Sequence, residues 1–307
     1  MISVIISMVL HVALLVLVSP LLLGCINKTK AFFAGRRGAP LLQPYYDIGK
    51  LLQKGMVIST TTSWVFYGGP LLSFAVPLVA GLFIPLGRIP SVISFTGDFI
   101  LFAYLFGLSR FFTTAAALDT GSAFEGMGSS RELTFAVLTE PAMFFAFLVL
   151  VRLSSSLSLS GMLSMGANPL FGIGSMAPLV MVVLGLFIVL LAENSRIPID
   201  DPTTHLELTM IHEVMVLDHS GPLFGLIEYG SALKLFVFSS LVLNLIVPVH
   251  SFSLWMGGLL WILGLLVLSV IVGFLESMMA RLRMPRVPAL LIAAILLCGS
   301  AFVMLVR

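Results

Sequence analysis

Charge is what this sequence has least of. Of its 307 residues only 10% are Asp, Glu, Lys or Arg, against 59% that are hydrophobic, whereas a soluble globular domain carries roughly 25% charged residues. That shortage excludes a soluble enzyme. Cysteine is nearly absent as well. Cys25 and Cys298 stand one in each terminal apolar run, with no C-x-x-C pair and no cluster with histidine. Thiolate clusters hold iron–sulfur centres and most structural zinc, so no metal or other cofactor of the chain's own is expected. Both cysteines read as small buried apolar residues. Nucleophile-elbow, metalloprotease, Walker and dinucleotide motifs are all missing, and the stretch G-S-A-F-E-G lacks the G-K-S/T ending of a phosphate loop. The net charge of +2 is too small to point to nucleic acid, and none is expected as a partner.

What the chain has instead is apolar length. A bilayer-spanning helix needs about 20 consecutive apolar residues. The first run, Ile2 to Ile26, carries no charge; a signal peptide has a basic start and an apolar core of only about 7–15 residues, so this run reads as a retained first helix. Apolar runs predict spans near 2–26, 68–87, 97–118, 132–152, 176–194, 231–248, 254–275 and 287–306. The uncharged stretch 235–275 is too long for one span at 1.5 Å per residue, and Pro248, His250 and Ser251 split it. The Ser/Gly-rich residues from Ser154 to Gly166 read as an external loop. The expected fold class is therefore all-α: a polytopic integral membrane protein, one transmembrane domain over 1–307, with about eight transmembrane helices and amphipathic helices in its loops.

The charges divide the loops into two sets. Loops 27–67, 119–131, 195–230 and 276–286 hold Lys28, Lys30, Arg36, Arg37, Lys50, Lys54, Arg131, Arg196, Arg281, Arg283 and Arg286. The other set holds only Arg88, Arg152 and the terminal Arg307. The positive-inside rule puts the first set in the cytoplasm, and eight spans then place both termini outside. Of the 14 acids only Asp98 falls near the outer side. Orientation rules ignore acids, so this asymmetry calls for a docking face or an ion-entry funnel.

Charges at membrane depth are costly and by default mark an ion or proton path. Arg110, Glu140, Glu193, Lys234 and Glu276 fall within or at the edges of spans; structural pairing or snorkelling at helix ends is the other reading. Burial favours the neutral form of a carboxyl and a nearby cation favours the charged form, and a proton carrier needs the two nearly balanced. The segment from Asp119 to Glu132 packs acids, Glu125 among them, with glycines, and reads as a flexible loop facing the same side. In loop 195–230, Asp201-Pro202 makes a helix start. The helix is expected to run to about Leu217, amphipathic, with Gly221-Pro222 ending it; Glu207, Glu213 and Asp218 lie off its apolar face. His205, His212 and His219 recur every seven residues, about 10.5 Å along a helix, too far to share one metal ion; proton exchange or a solvated face fits them better. A second amphipathic helix is expected around Tyr45 to Lys54, with Asp47 and Lys50 one turn apart. Anionic lipid headgroups or a docking partner both account for its basic surroundings.

The order of several short motifs matches a known family. Arg36-Arg37-Gly38-Ala39-Pro40, followed by Gln43-Pro44-Tyr45 and Asp47-x-x-Lys50-Leu51, resembles the first cytoplasmic loop of the complex I membrane subunit that anchors the peripheral arm. Arg110-Phe111-Phe112, Leu118-Asp119-Thr120-Gly121-Ser122, Ser130-Arg131-Glu132 and Glu140-Pro141 resemble more the homologous subunit of membrane-bound nickel–iron (NiFe) hydrogenases of the formate hydrogenlyase and hydrogenase-4 type. Ala192-Glu193, Arg196, Pro198 and Asp200 are similar to an acidic loop that both share, and Met279-Ala280-Arg281-x-Arg283 to the hydrogenase branch.

The resemblance implies a non-catalytic, energy-coupling subunit in a prokaryotic inner (cytoplasmic) membrane, beneath a peripheral redox arm. Its implied partners are hydrogenase-like large and small subunits, an iron–sulfur subunit and antiporter-like membrane subunits, with membrane lipid around it. Asp119, Glu125, Glu132, Glu140, Glu193, Asp200, Glu207, Glu213 and Asp218 become candidates for an ion or proton relay, alongside Arg110 and Lys234. Arg36, Arg37, Asp47, Lys50 and Arg196 become candidates for docking the arm or orienting loops. Where the family usually has further glutamates this chain has Thr203 and His205, and where it closes with Glu-Tyr-Ser-Gly this chain has Asp218-His219-Ser220-Gly221. These departures weigh against quinone binding. Two other readings stand beside this one: the quinone-chamber subunit of a complex I-type dehydrogenase, and a stand-alone secondary transporter, for which the chain lacks the expected internal symmetry.

Overall fold

In lipid every backbone N–H and C=O must be satisfied within its own segment, which leaves the helix as the form for long apolar runs. The computed structural model describes residues 2–164, 173–200, 210–248 and 253–306. Among them are ten α-helices and, as extended pairing, one isolated bridge between Leu86 and Ile89. In chain order the helices are α1 (Ile2–Phe33), α2 (Gln43–Gln53), α3 (Trp64–Gly81), α4 (Asp98–Asp119), α5 (Ala123–Ser154), α6 (Leu159–Leu163), α7 (Ile173–Glu193), α8 (Gly221–Ile246), α9 (Leu254–Met278) and α10 (Val287–Val306). Eight of them, all but α2 and α6, are long and apolar enough to cross a membrane.

Helix α8 is the centre of the bundle, packed on α1, α2, α3, α7 and α9. Small residues let the backbones close up there, as in other membrane bundles. A Cβ at Gly230 would meet the Ser73 carbonyl oxygen of α3 at 2.2 Å. Pro20 lies inside α1 and, lacking an N–H, leaves the Val16 carbonyl without its usual partner four residues on. The Tyr229 hydroxyl of α8 donates to that carbonyl at 3.0 Å, and the Tyr45 hydroxyl of α2 donates to the next one, Leu17. These two carbonyls beside Pro20 thus tie α8 and the surface helix α2 to α1, and Ile48 of α2 is buried.

Several boundaries differ from the sequence expectation. Helix α3 starts at Trp64 rather than 68, because the Ser63 hydroxyl caps it by accepting the Val65 N–H at 3.3 Å. The stretch 119–131, expected to be a flexible loop, is mostly the first turns of α5. Its glycines serve close packing: a Cβ at Gly128 would meet Val214 at 2.3 Å. Gly221-Pro222, expected to end a helix, begins α8 ten residues ahead of the expected 231. Proline at the first helical turn starts helices, and Gly221 takes the left-handed φ of +54° that precedes it. The Ser/Gly-rich stretch expected to be loop holds, in its described part, the short α6, capped by Ser158. The turn expected at Pro248, His250 and Ser251 has its last two residues outside the described ones.

The expected amphipathic helix over 202–217 is corrected in its described part. Residues 210–217 form no α-helix, only a 3-10 turn at Glu213–Val216. The Asp200 carboxylate accepts the N–H groups of both Ile211 and His212 at 3.1 Å, which holds the backbone off the helical path. Val214, Met215 and Val216 are buried, so the segment is an insertion into the bundle rather than a helix lying on it. His212 and His219 therefore share no helix. The helix start expected at Asp201-Pro202, together with Thr203, His205 and Glu207, lies outside the described residues.

Contacts between connecting segments put four of them at one end of the bundle. The Ser63 N–H donates to Asp119 at 2.6 Å, the Val57 N–H to the Ser220 hydroxyl at 3.1 Å, and Arg281 pairs with Asp200 at 2.9 Å. At the opposite end Asp98 accepts the Leu159 N–H at 2.6 Å and Asn244 donates to the Pro85 carbonyl at 2.7 Å.

Candidate functional site

The charged end holds most of the acids, and the deepest ones are organised around Arg110. Its guanidinium, on the inner face of α4, belongs to a side chain only 8% exposed. It reaches Glu140 of α5 at 2.6 Å and Glu132 of α5 at 3.4 Å, and it donates a short bond to Glu193 at the end of α7. The other Glu193 oxygen takes the Lys234 ammonium of α8 at 2.8 Å, and Lys234 also lies 5.7 Å over the Phe106 ring. Burying an ion costs several kcal/mol unless it is paired, and this pairing makes the network tenable. Three carboxylates share two cations, so one negative charge is left for a proton or a cation to balance. The surplus is not sealed in: the Glu140 side chain is 44% exposed on the outer face of α5.

A small polar cavity of about 40 Å³ adjoins Arg110, Glu193 and Lys234. It shares Asn194, Ser195, His212 and Ser231 with a larger one of about 220 Å³ under α2. Asp47, Arg196, Asp200, Glu213 and Glu228 line the larger space. Burial depresses the pKa of His212 below its ordinary value, and the Lys234 charge adds to that, against the opposing pull of Glu132 and Asp200. Protonation of the imidazole between the two cavities is therefore disfavoured, and its neutral form donates at one nitrogen and accepts at the other.

A second group of pairs flanks the larger cavity. The Glu276 side chain is fully buried between Lys30 at 3.0 Å and Arg196 at 3.4 Å, while Asp200 is held by Arg281 and by two backbone N–H groups. Glu125 and Asp119 are employed differently. Glu125 accepts the Thr120 hydroxyl and the Asp218 N–H, and Asp119 accepts the Ser63 N–H; both tie loops together. Asp218 is itself exposed, as are Arg36, Arg37, Asp47 and Lys50, and Asp47 takes a 2.8 Å bond from Gln43. Of the residues singled out in the sequence, the structure thus joins Arg110, Glu132, Glu140, Glu193 and Lys234 in one network. Asp47, Arg196, Asp200 and Glu213 stand around the adjoining cavity, and Glu125, Asp119 and Asp218 stand apart. Glu228 is a cavity residue that sequence reasoning misses. It sits in the first turns of α8, within a stretch expected to be loop; an acid one residue before Tyr229 in an otherwise apolar run is the available signal. Among the described residues no group of three or more His, Cys, Asp or Glu side chains is placed to hold a metal ion.

Eight apolar helices with paired charges gathered at one end define a polytopic membrane protein. The model of the NADH dehydrogenase family matches residues 5–307, and the chain belongs to that family. It is 31% identical over 296 residues to formate hydrogenlyase subunit 4 of Escherichia coli (strain K12), with 94% of each chain covered. It is 33% identical to hydrogenase-4 component C of the same organism, over 76% of this chain and 73% of the other. It is 27% identical to NADH-ubiquinone oxidoreductase chain 1 of Hyaloraphidium curvatum, over 78% of each chain. Among solved structures, a chain of the membrane-bound sulfane sulfur reductase, an archaeal respiratory membrane complex, superposes with a TM-score of 0.85 over 99% of both chains at 20% identity, a likeness of fold.

Proposed function

We propose that this chain is the membrane-anchoring and energy-coupling subunit of a membrane-bound, hydrogenase-like oxidoreductase, linking redox chemistry in a peripheral arm to translocation of protons or sodium. The observation that carries the reading is the row of charges running from Glu140 through Arg110 and Glu193 to Lys234, continued by the two polar cavities as far as α2. A shift at the α2 end that changes the pairing of Glu193 would change how tightly the surplus negative charge holds a proton. In this reading the charged end faces the cytoplasm, both termini lie outside, and the membrane is the inner membrane of a prokaryote. The arm brings hydrogenase-like and iron–sulfur subunits, docked through Arg37 and Lys50, and antiporter-like subunits adjoin α5. The family match and the two hydrogenase relatives support this assignment.

A second reading, the quinone-chamber subunit of a complex I-type dehydrogenase, draws on the 220 Å³ cavity, which has Leu23, Pro44, Ile48 and Leu51 on one wall. Isolation of the full chain from its membranes in mild detergent tests the assignment. Nickel and iron co-purifying with hydrogen-dependent activity, insensitive to a quinone analogue, is expected. A chain that isolates alone and still moves ions would contradict it, and inhibition by the analogue would favour the second reading.

A further inference from the structure

Away from the buried network, α1 and α9 run side by side to the charged end. Their last turns leave an open groove of about 510 Å³ lined by Lys30, Phe33, Ala34, Arg36 and Ser277. We propose that this groove is a binding site for an anionic glycerophospholipid, with the phosphate between Lys30 and Arg36 and the acyl chains laid along α9.

Three features carry it. The lining supplies cations and a hydroxyl but no carboxylate; the nearby Glu276 side chain is fully buried behind Lys30. The chain is folded tightly so as to put Arg36 there: the N–H groups of Ala34, Gly35 and Arg36 donate to the carbonyls of Lys30, Phe32 and Ala31 at 2.9–3.1 Å, and Lys28 donates to the Arg37 carbonyl at 2.8 Å. That also occupies carbonyl oxygens at the end of α1 that would repel an anion. Above the groove, Leu263, Val267, Ile271, Phe274 and Met278 are exposed at 41–65% along α9, and Phe274 packs edge-on to Phe33 at 5.2 Å between ring centroids. An apolar stripe a helix long that ends in two cations is complementary to one lipid: acyl chains on the stripe, phosphate at the end. Basic pockets between membrane helices at the surface are where acidic headgroups bind. A phosphate here competes with Glu276 for Lys30 and leaves Glu276 to Arg196.

The test uses the complex isolated with the full chain and reconstituted in nanodiscs of phosphatidylglycerol and phosphatidylcholine, with retained lipid read by native mass spectrometry. The wild type is expected to retain phosphatidylglycerol in preference to phosphatidylcholine. Arg36→Gln and Lys30→Gln should each lower that retention about fivefold, the effect of about 1 kcal/mol per basic residue. Because Lys30 also pairs with Glu276, Ala34→Glu serves as a second variant that keeps both of those side chains and adds a carboxylate to the groove, and it should expel the lipid too. Equal retention of both lipids, or unchanged retention in Arg36→Gln and Ala34→Glu, would overturn the proposal. So would a photo-crosslinker on Ala34→Cys that captures protein instead of lipid, which would make the groove a protein interface.

Discussion

Removing the Arg110 guanidinium leaves Glu132 and Glu140 without their cation and Glu193 with only Lys234. Breaking a buried ion pair costs about 3–5 kcal/mol, because the abandoned charge stays out of water. Arg110→Ala is therefore expected to lower the thermal stability of the detergent-solubilised protein by about that amount, and Arg110→Lys to lose less of it while giving up the forked geometry; unchanged melting in Arg110→Ala would show that the network does not hold the fold. His219 gives a pH test. Its ring stacks on Phe66 at 4.0 Å and burial holds its pKa below the ordinary value. The unfolded chain takes up this proton near pH 6.5 and the folded chain resists it, so stability is full above that pH and falls as pH drops below it. Melting curves between pH 7.5 and 5.5 should show a smaller loss for His219→Asn than for the wild type; equal losses would exclude this group as a contributor. The charges themselves are legible in the sequence, since Arg110, Glu140, Glu193 and Lys234 interrupt apolar runs. Their partners are not, because Arg110 and Glu193 are separated by 83 positions and meet only through the packing of α4, α5, α7 and α8.

Helix α8 depends on close approach at Gly230. A methyl group there would sit 2.2 Å from the Ser73 carbonyl oxygen and 2.6 Å from its carbon, backbone atoms that cannot swing aside. Gly230→Ala should force α3 and α8 apart and cost about 1–3 kcal/mol, the range for overpacking, visible as a lower melting temperature and as weaker protection of α8 from hydrogen exchange. No change in either would mean that the two helices are not held at this distance. Boundaries are the least legible part of the elements, for reasons seen at particular residues. Gly126 and Gly128 read as loop glycines but lie inside α5, where Gly128 serves packing. Gly221-Pro222 reads as a stop but is a start. Residues 210–216 carry an amphipathic pattern that the Asp200 carboxylate overrides by binding two backbone N–H groups, a long-range effect that periodicity does not contain.

At the scale of the molecule, apolar length alone makes eight spans legible, and charge bias groups the four loops that the structure gathers at one end. Which side that end faces is a proposal carried by the positive-inside rule. So is the use to which the charges are put: a surplus of one carboxylate over the cations within the Arg110 network, connected to polar space beneath α2, is the feature that lets electron transfer elsewhere be felt inside the bilayer. The most direct measurement is the number of ions moved per electron in proteoliposomes containing the whole complex, with Glu193→Gln and Glu140→Gln compared with the wild type. The account predicts that electron transfer persists in both variants while ion movement per electron falls at least several-fold; an unchanged ratio in both would contradict it.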